Sequence, residues 1–164
     1  MIRVFTTFFG AGLLPIAPGT WGSLVALPLG FLLHYGGGFP FLLAATIIIF
    51  ALGLWATDKA TAGKEDHDPS EIVIDEVVGQ WIALMPLSFG LWHQGFEPSV
   101  FPWPGWVGAF VLFRVFDVWK PWPVSWADNM HTPLGVMLDD VLAGIMAAIV
   151  VTLAAVVWHG FILL

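Results

Sequence analysis

The stretch "IVIDEVVGQWIALMPLSFGLW", residues 72–92, is apolar enough to enter a lipid bilayer, yet it opens on two adjacent carboxylates, Asp75 and Glu76. A second apolar run, "GVMLDDVLAGIMAAIVVTLAAVVW" at residues 135–158, carries Asp139 and Asp140 in a similar place. Burying a carboxylate is costly in any low-dielectric medium, and more so in hydrocarbon. Acids in such surroundings need a counter-charge.

The rest of the chain fits that environment. Of 164 residues, 59% are hydrophobic and 10% charged, where a soluble domain carries about 25% charged residues. Mean hydropathy is +0.88. Ten tryptophans suit headgroup-level positions in a polytopic membrane protein. The absence of cysteine excludes disulfides, thiolate metal sites and cysteine nucleophiles. With a formal charge of −7 there is no basic patch, so nucleic acid is excluded as a partner. The N-terminus has the basic residue and apolar run of a secretory leader but no clear small-x-small site after it, so cleavage is not expected.

Five apolar segments can be marked, at residues 21–34, 39–56, 73–92, 106–119 and 135 onward. "HYGGGF" and "GFEPSVFPWPGW" separate the first from the second and the third from the fourth, and Pro86 should kink or break the third. The expected fold is all-α: one membrane-embedded domain over residues 1–164, a bundle of four to five hydrophobic helices. Alternating spans place all five Lys and Arg residues on one face or its boundary, which the positive-inside rule assigns to the cytoplasm. The acid-bearing motifs share that face.

In "DPSEIVIDEVVG" Asp68 suits a helix N-cap and Pro69 the first turn, which would set Glu71 and Asp75 one turn apart on one face. "FRVFDVWKPWP" spaces Arg114, Asp117 and Lys120 at i, i+3, i+6. A salt-bridged stripe with a snorkelling lysine is the plain reading; in the functional one Arg114 and Lys120 take phosphate oxygens while Asp117 takes a metal. Asp139 and Asp140 can both border a broad polar crevice, and adjacent carboxylates repel unless a cation intervenes or one is protonated. After them, "AGIMAA" gives small-xxx-small spacing that suits close helix packing. Glu71, Asp75, Glu76, Asp117, Asp139 and Asp140 together form a hard-oxygen set suited to Mg²⁺, or to Mn²⁺ in its place. An EF-hand at "DHDPSEIVIDEV" is rejected, since Glu71 takes the required glycine position and Val77 that of the bidentate Glu. "APGTWGS" offers glycine N–H groups with Thr20 and Ser23 hydroxyls near a helix start, a weak anion-binding signal. The five histidines are scattered without metal-ligand spacing.

Four blocks in order, "PGTWGS" (18–23), "IVIDEVVGQWIAL" (72–84), "FRVFDVWKPWP" (113–123) and "GVMLDDVLAG" (135–144), resemble the phosphatidylglycerophosphatase A family. The resemblance implies a Mg²⁺-dependent phosphatase of the bacterial cytoplasmic membrane, facing the cytoplasm, that converts phosphatidylglycerophosphate to phosphatidylglycerol. It also implies that Asp75, Glu76, Asp117, Lys120, Asp139 and Asp140 are active-site positions. The residues themselves add Arg114, and leave open whether water or an aspartate such as Asp75 or Asp139 attacks the phosphorus. A cation transporter or channel using the clustered acids is the competing reading. Oligomeric state is not legible in the sequence.

Overall fold

The computed structural model describes residues 1–63 and 69–162, and their regular structure is helical throughout. In order come α1 (Ile2–Thr6), a 3-10 turn (Ala11–Leu13), α2 (Pro18–Thr61), α3 (Ile74–His93), α4 (Trp103–Trp119), α5 (Val124–Asp128) and α6 (Pro133–Ile162). The 44 residues of α2 would extend about 66 Å as one rod, twice the roughly 30 Å of a bilayer's hydrocarbon core. Gly37 (φ −164°, ψ 16°) and Gly38 (φ 65°, ψ −158°) interrupt it. Only glycine takes the second conformation without strain. The "HYGGGF" breaker thus acts as expected and divides α2 into two limbs.

Helix α3 is the axis of the structure, and its partners alternate in direction. The first limb of α2 runs parallel to it: Trp81 Nε1 donates to Ala26 O at 2.9 Å, and His34 Nδ1 lies 2.8 Å from Ser88 Oγ. The second limb runs back, with Phe39 against Phe89 at one end and Gly53 beside Ile74 at the other. Helix α4 is antiparallel to α3, since Gly105 faces Leu87 and Phe113 faces Gly79. Helix α6 is parallel again.

The α3–α6 contact is a backbone contact. A Cβ on Gly144 would strike the Gly79 carbonyl, and a Cβ on Gly79 would lie 2.6 Å from the Asp140 carbonyl oxygen. In lipid, helices gain nothing from hydrophobic association, so close van der Waals approach of small residues carries the packing. Ala143 and Ala147 are buried in line with it. Gly79 stands one turn beyond Asp75, and Gly144 one turn beyond Asp140. The glycine contact therefore draws the two carboxylate pairs together.

Among the described residues two helices, α2 and the Pro133–Trp158 part of α6, are long and apolar enough to cross a membrane. Their outer faces expose Ile47, Ile48, Leu153, Val156 and Val157. The chain is accordingly associated with the membrane.

Several expectations need correction. Helix α3 is unbroken at Pro86; the ring removes one backbone hydrogen bond, and the Trp81 and Ser88 contacts on either side hold the helix. It starts at Ile74, not Pro69, while Asp68, the expected cap, lies outside the described residues. Ile72 N donates to Pro69 O and Val73 N to Thr6 O, each at 2.9 Å. The first closes a turn and the second ties this segment to the N-terminus, so Glu71 stands in a turn and not on a helical face with Asp75. Lys120 likewise leaves its helix: it caps α4 in the left-handed conformation (φ 48°, ψ 53°) just before Pro121. The short α1 and α5 had no sequence signal, since five residues do not sustain a helix without tertiary contacts.

Gly144→Val is expected to lower stability in detergent by about 1–3 kcal/mol through overpacking. Gly108→Ala, where an added Cβ meets nothing within 4 Å, should be neutral or slightly stabilising. Thermal unfolding followed by circular dichroism compares them; equal melting temperatures would contradict the close α3–α6 contact.

Candidate active site

At one end of the bundle the starts of α2 and α3, the end of α4 and the first turns of α6 enclose a cavity of about 300 Å³. Asp75, Glu76, Arg114, Asp117, Lys120, Asp139 and Asp140 all line it, beside Ala17, Pro18 and Gly19. Seven of the candidate residues separated by up to 65 positions in sequence are thus brought to one place. Gly19 makes room for them: a Cβ there would collide with Glu76 Oε1 and lie 3.2 Å from Arg114 Nη1.

The remaining candidates stand elsewhere. Glu71 forms an ion pair with Arg3 at 2.9 Å on the surface and is not part of the cavity wall. Ser23 is buried behind it; its hydroxyl donates to Gly19 O at 2.9 Å and accepts from Arg114 Nη1 at 3.5 Å. Thr20 does not line the cavity.

The two bases are already engaged. Arg114 pairs with Asp117 one turn on, and Asp117 also acts on Asp140. Arg114 Nε is buried with no hydrogen-bond partner, a donor left over. Lys120 Nζ donates to Asp139 Oδ2 at 2.9 Å and to Asp128. Burial alone would lower the lysine's pKa, but the hydrogen bonds and charges of Asp128 and Asp139 outweigh it and hold the ammonium above its ordinary value. An ammonium has three protons, so one donor remains. Asp128 is the participant that sequence reading missed. Its one signal is its position as the only acid between Lys120 and Asp139, returned toward Lys120 by the Pro-Trp-Pro turn.

Asp75, Glu76 and Asp140 come together on the other side of the cavity. One carboxylate oxygen from each lies within 4.8 Å of the others. Among the described residues Glu76 Oε2 and Asp140 Oδ1 are buried without a hydrogen-bond partner, while Asp75 Oδ1 accepts from Glu76 N at 3.1 Å. Three carboxyls so close repel unless a cation or protons intervene. Hard oxygen donors with orphaned atoms fit a small divalent ion.

Known proteins match this chain over most of its length. The family model described as Phosphatidylglycerophosphatase A matches residues 4–155. A phosphatidylglycerophosphatase A from Escherichia coli (strain K12) is 38% identical over 144 residues, covering 85% of this chain and 75% of the relative. One from Haemophilus influenzae is 40% identical over 151 residues, covering 92% and 86%. A protein of Bacteroides thetaiotaomicron, provisionally named a phosphatidylinositol-3-phosphatase, is 39% identical over 153 residues, covering 90% and 89%. No solved structure matches the chain. With phosphatases on every side, the transporter or channel reading has no support.

The Lys120 bridge is open to a double-mutant test. Lys120→Met leaves Asp128 and Asp139 facing each other without their cation, and should cost about 1–3 kcal/mol of unfolding free energy. Adding Asp128→Asn should restore part of that loss. Strict additivity of the two changes in thermal unfolding would show that the bridge does not couple them.

Proposed function

The chain belongs to the phosphatidylglycerophosphatase A family, and from that premise we propose that it hydrolyses the terminal phosphomonoester of phosphatidylglycerophosphate, with Mg²⁺ held by Asp75, Glu76 and Asp140. The observation that carries the reading is the convergence of those three carboxylates beside Arg114 and Lys120 in one cavity. A bound Mg²⁺ would polarise the phosphoryl oxygens and lower the pKa of a water, with Mn²⁺ able to replace it. The protein's own groups do the rest. Arg114 offers its spare Nε–H, and Lys120 its remaining proton, to the oxygens on which charge gathers during in-line displacement. Asp117 fixes the guanidinium, and Asp139 with Asp128 fixes the ammonium, so neither donor reorganises during reaction. Asp139 in this reading positions Lys120, and its other oxygen accepts from Asp140 N at 2.9 Å.

The same proposal sets five spans in the membrane: the two limbs of α2, then α3, α4 and α6. Their alternating directions relative to α3 support it, as does the gathering of Arg114, Lys120 and Lys59 toward the end that bears the cavity. The positive-inside rule then turns the cavity to the cytoplasm, at the depth of a lipid headgroup.

Purified protein in detergent micelles should release phosphate from phosphatidylglycerophosphate, lose that activity to EDTA, and regain it with Mg²⁺ or Mn²⁺. Asp140→Asn should lower turnover at least about a hundredfold, with partial rescue at high Mg²⁺, whereas Lys120→Ala should lower it without shifting the Mg²⁺ requirement. Full activity after exhaustive chelation would defeat the metal assignment. Faster release from phosphatidylinositol 3-phosphate would move the substrate toward that named for the Bacteroides relative.

Topology is read independently, because the chain has no native cysteine. Lys59→Cys should react with an impermeant maleimide from the cytoplasmic side and Ser99→Cys from the opposite side. Labelling of both from one side would overturn the five-span arrangement.

A further inference from the structure

Among the described residues that line the polar cavity, Ala17, Ser70 and Val118 are also exposed on the outside of the protein, and so mark its mouth. Ala17 and Val118 border one stretch of the rim. Helices α2 and α4 meet at the cavity where Arg114 Nη1 lies 3.5 Å from Ser23 Oγ. The first limb of α2 is parallel to α3 and α4 is antiparallel to it, so the path back from Ser23 to Ala17 and the path on from Arg114 to Val118 lead out the same way.

This stretch is apolar. Val118 is 73% exposed, and the chain neighbours of the two residues, Ile16 and Trp119, are exposed to a similar degree. Trp21 Nε1 donates to Ile16 O at 3.1 Å, which lays a further exposed ring along the start of α2. On α4, Val111, Val115 and Val118 are all exposed and fall at i, i+4 and i+7, a stripe of valines that ends at the cavity. Exposed apolar patches of this kind mark contact with a membrane or a partner. Ser70 brings the opposite chemistry to the mouth. It stands in a turn with Glu71, whose carboxylate pairs with Arg3 on the surface.

We propose that the substrate lipid reaches the cavity sideways from the bilayer, over the rim formed by Ala17 and Val118, while the Ser70 part of the rim faces water. The proposal rests on the phosphatase reading and adds to it the route of entry. Drawing a lipid out of the membrane costs about 0.8 kcal/mol for each CH₂ removed from hydrocarbon, so the fatty acids stay in the bilayer. A glycerol, an anionic phosphodiester and a second glycerol separate them from the terminal phosphate, so that phosphate enters the cavity alone while the rest of the headgroup crosses the rim. Trp119 and Trp122, both exposed beside this stretch, suit the headgroup level at which that crossing takes place.

The absence of native cysteine allows a direct test. Val118→Cys and Ser70→Cys are each labelled with bimane and reconstituted in phosphatidylcholine vesicles. Bimane at Val118 should be quenched by phosphatidylcholine brominated high on its acyl chains and shielded from aqueous iodide; bimane at Ser70 should show the reverse. A bulky maleimide at Val118→Cys should lower kcat/KM for phosphatidylglycerophosphate in vesicles at least about tenfold relative to the unlabelled variant, and the same label at Ser70→Cys less than about threefold. Ala17→Cys takes the place of Val118→Cys if the latter does not fold. Quenching at Val118 by iodide and not by brominated lipid, or an equal loss of kcat/KM from the two labels, would overturn the lateral route and leave the phosphatase reading intact. No phosphate release by the unaltered protein from phosphatidylglycerophosphate would defeat that reading, and the route with it.

Discussion

Everything at the polar end of this protein depends on how closely α3 and α6 approach. At Gly79 and Gly144 the backbones meet with no side chain between them. Because both helices run the same way, one turn back from each glycine lies a carboxylate, Asp75 on one helix and Asp140 on the other. Any side chain at either glycine would push these acids apart. The contact that holds the helices together in an apolar medium is also the one that assembles the acid cluster.

That cluster has an electrostatic cost, and the surrounding residues divide it unevenly. Asp117 is met by Arg114, and Asp128 and Asp139 by Lys120. Asp75, Glu76 and Asp140 stand close together, and among the described residues Glu76 Oε2 and Asp140 Oδ1 are buried without a hydrogen-bond partner. Such an arrangement is poor economy for a packing core, where a buried acid normally finds a partner. Hard oxygen donors so placed fit a small divalent cation. The two bases line the same cavity, each held by carboxylates. Opposite charges are thereby sorted within one cavity, the three clustered acids on the α3–α6 side and the two bases on the α4 side.

The apolar surroundings contribute as much as the polar ones. The first limb of α2 and α4 carry Gly19 and Arg114 at the cavity, then continue together to the cluster of Phe31, Phe101 and Trp106. One pair of helices thus borders both the polar cavity and an apolar hollow.

Much of this was legible in the sequence, because burying charge is so costly that acids inside apolar runs stand out without any structure. The helical class, the glycine break before Phe39, the gathering of Asp75, Glu76, Asp117, Asp139 and Asp140, and the family resemblance all followed from residue type and order. Tertiary contacts decided the rest. Glu71 turned outward to Arg3 because hydrogen bonds to the N-terminal segment delayed the start of α3 to Ile74. Asp128 joined Lys120 because a turn after α4, and not helical periodicity, set its position. Which acids Lys120 meets depended on how the turn after α4 and the start of α6 pack around it. Periodicity reports which way a side chain points from its own helix; only packing of one helix on another determines which charge it meets.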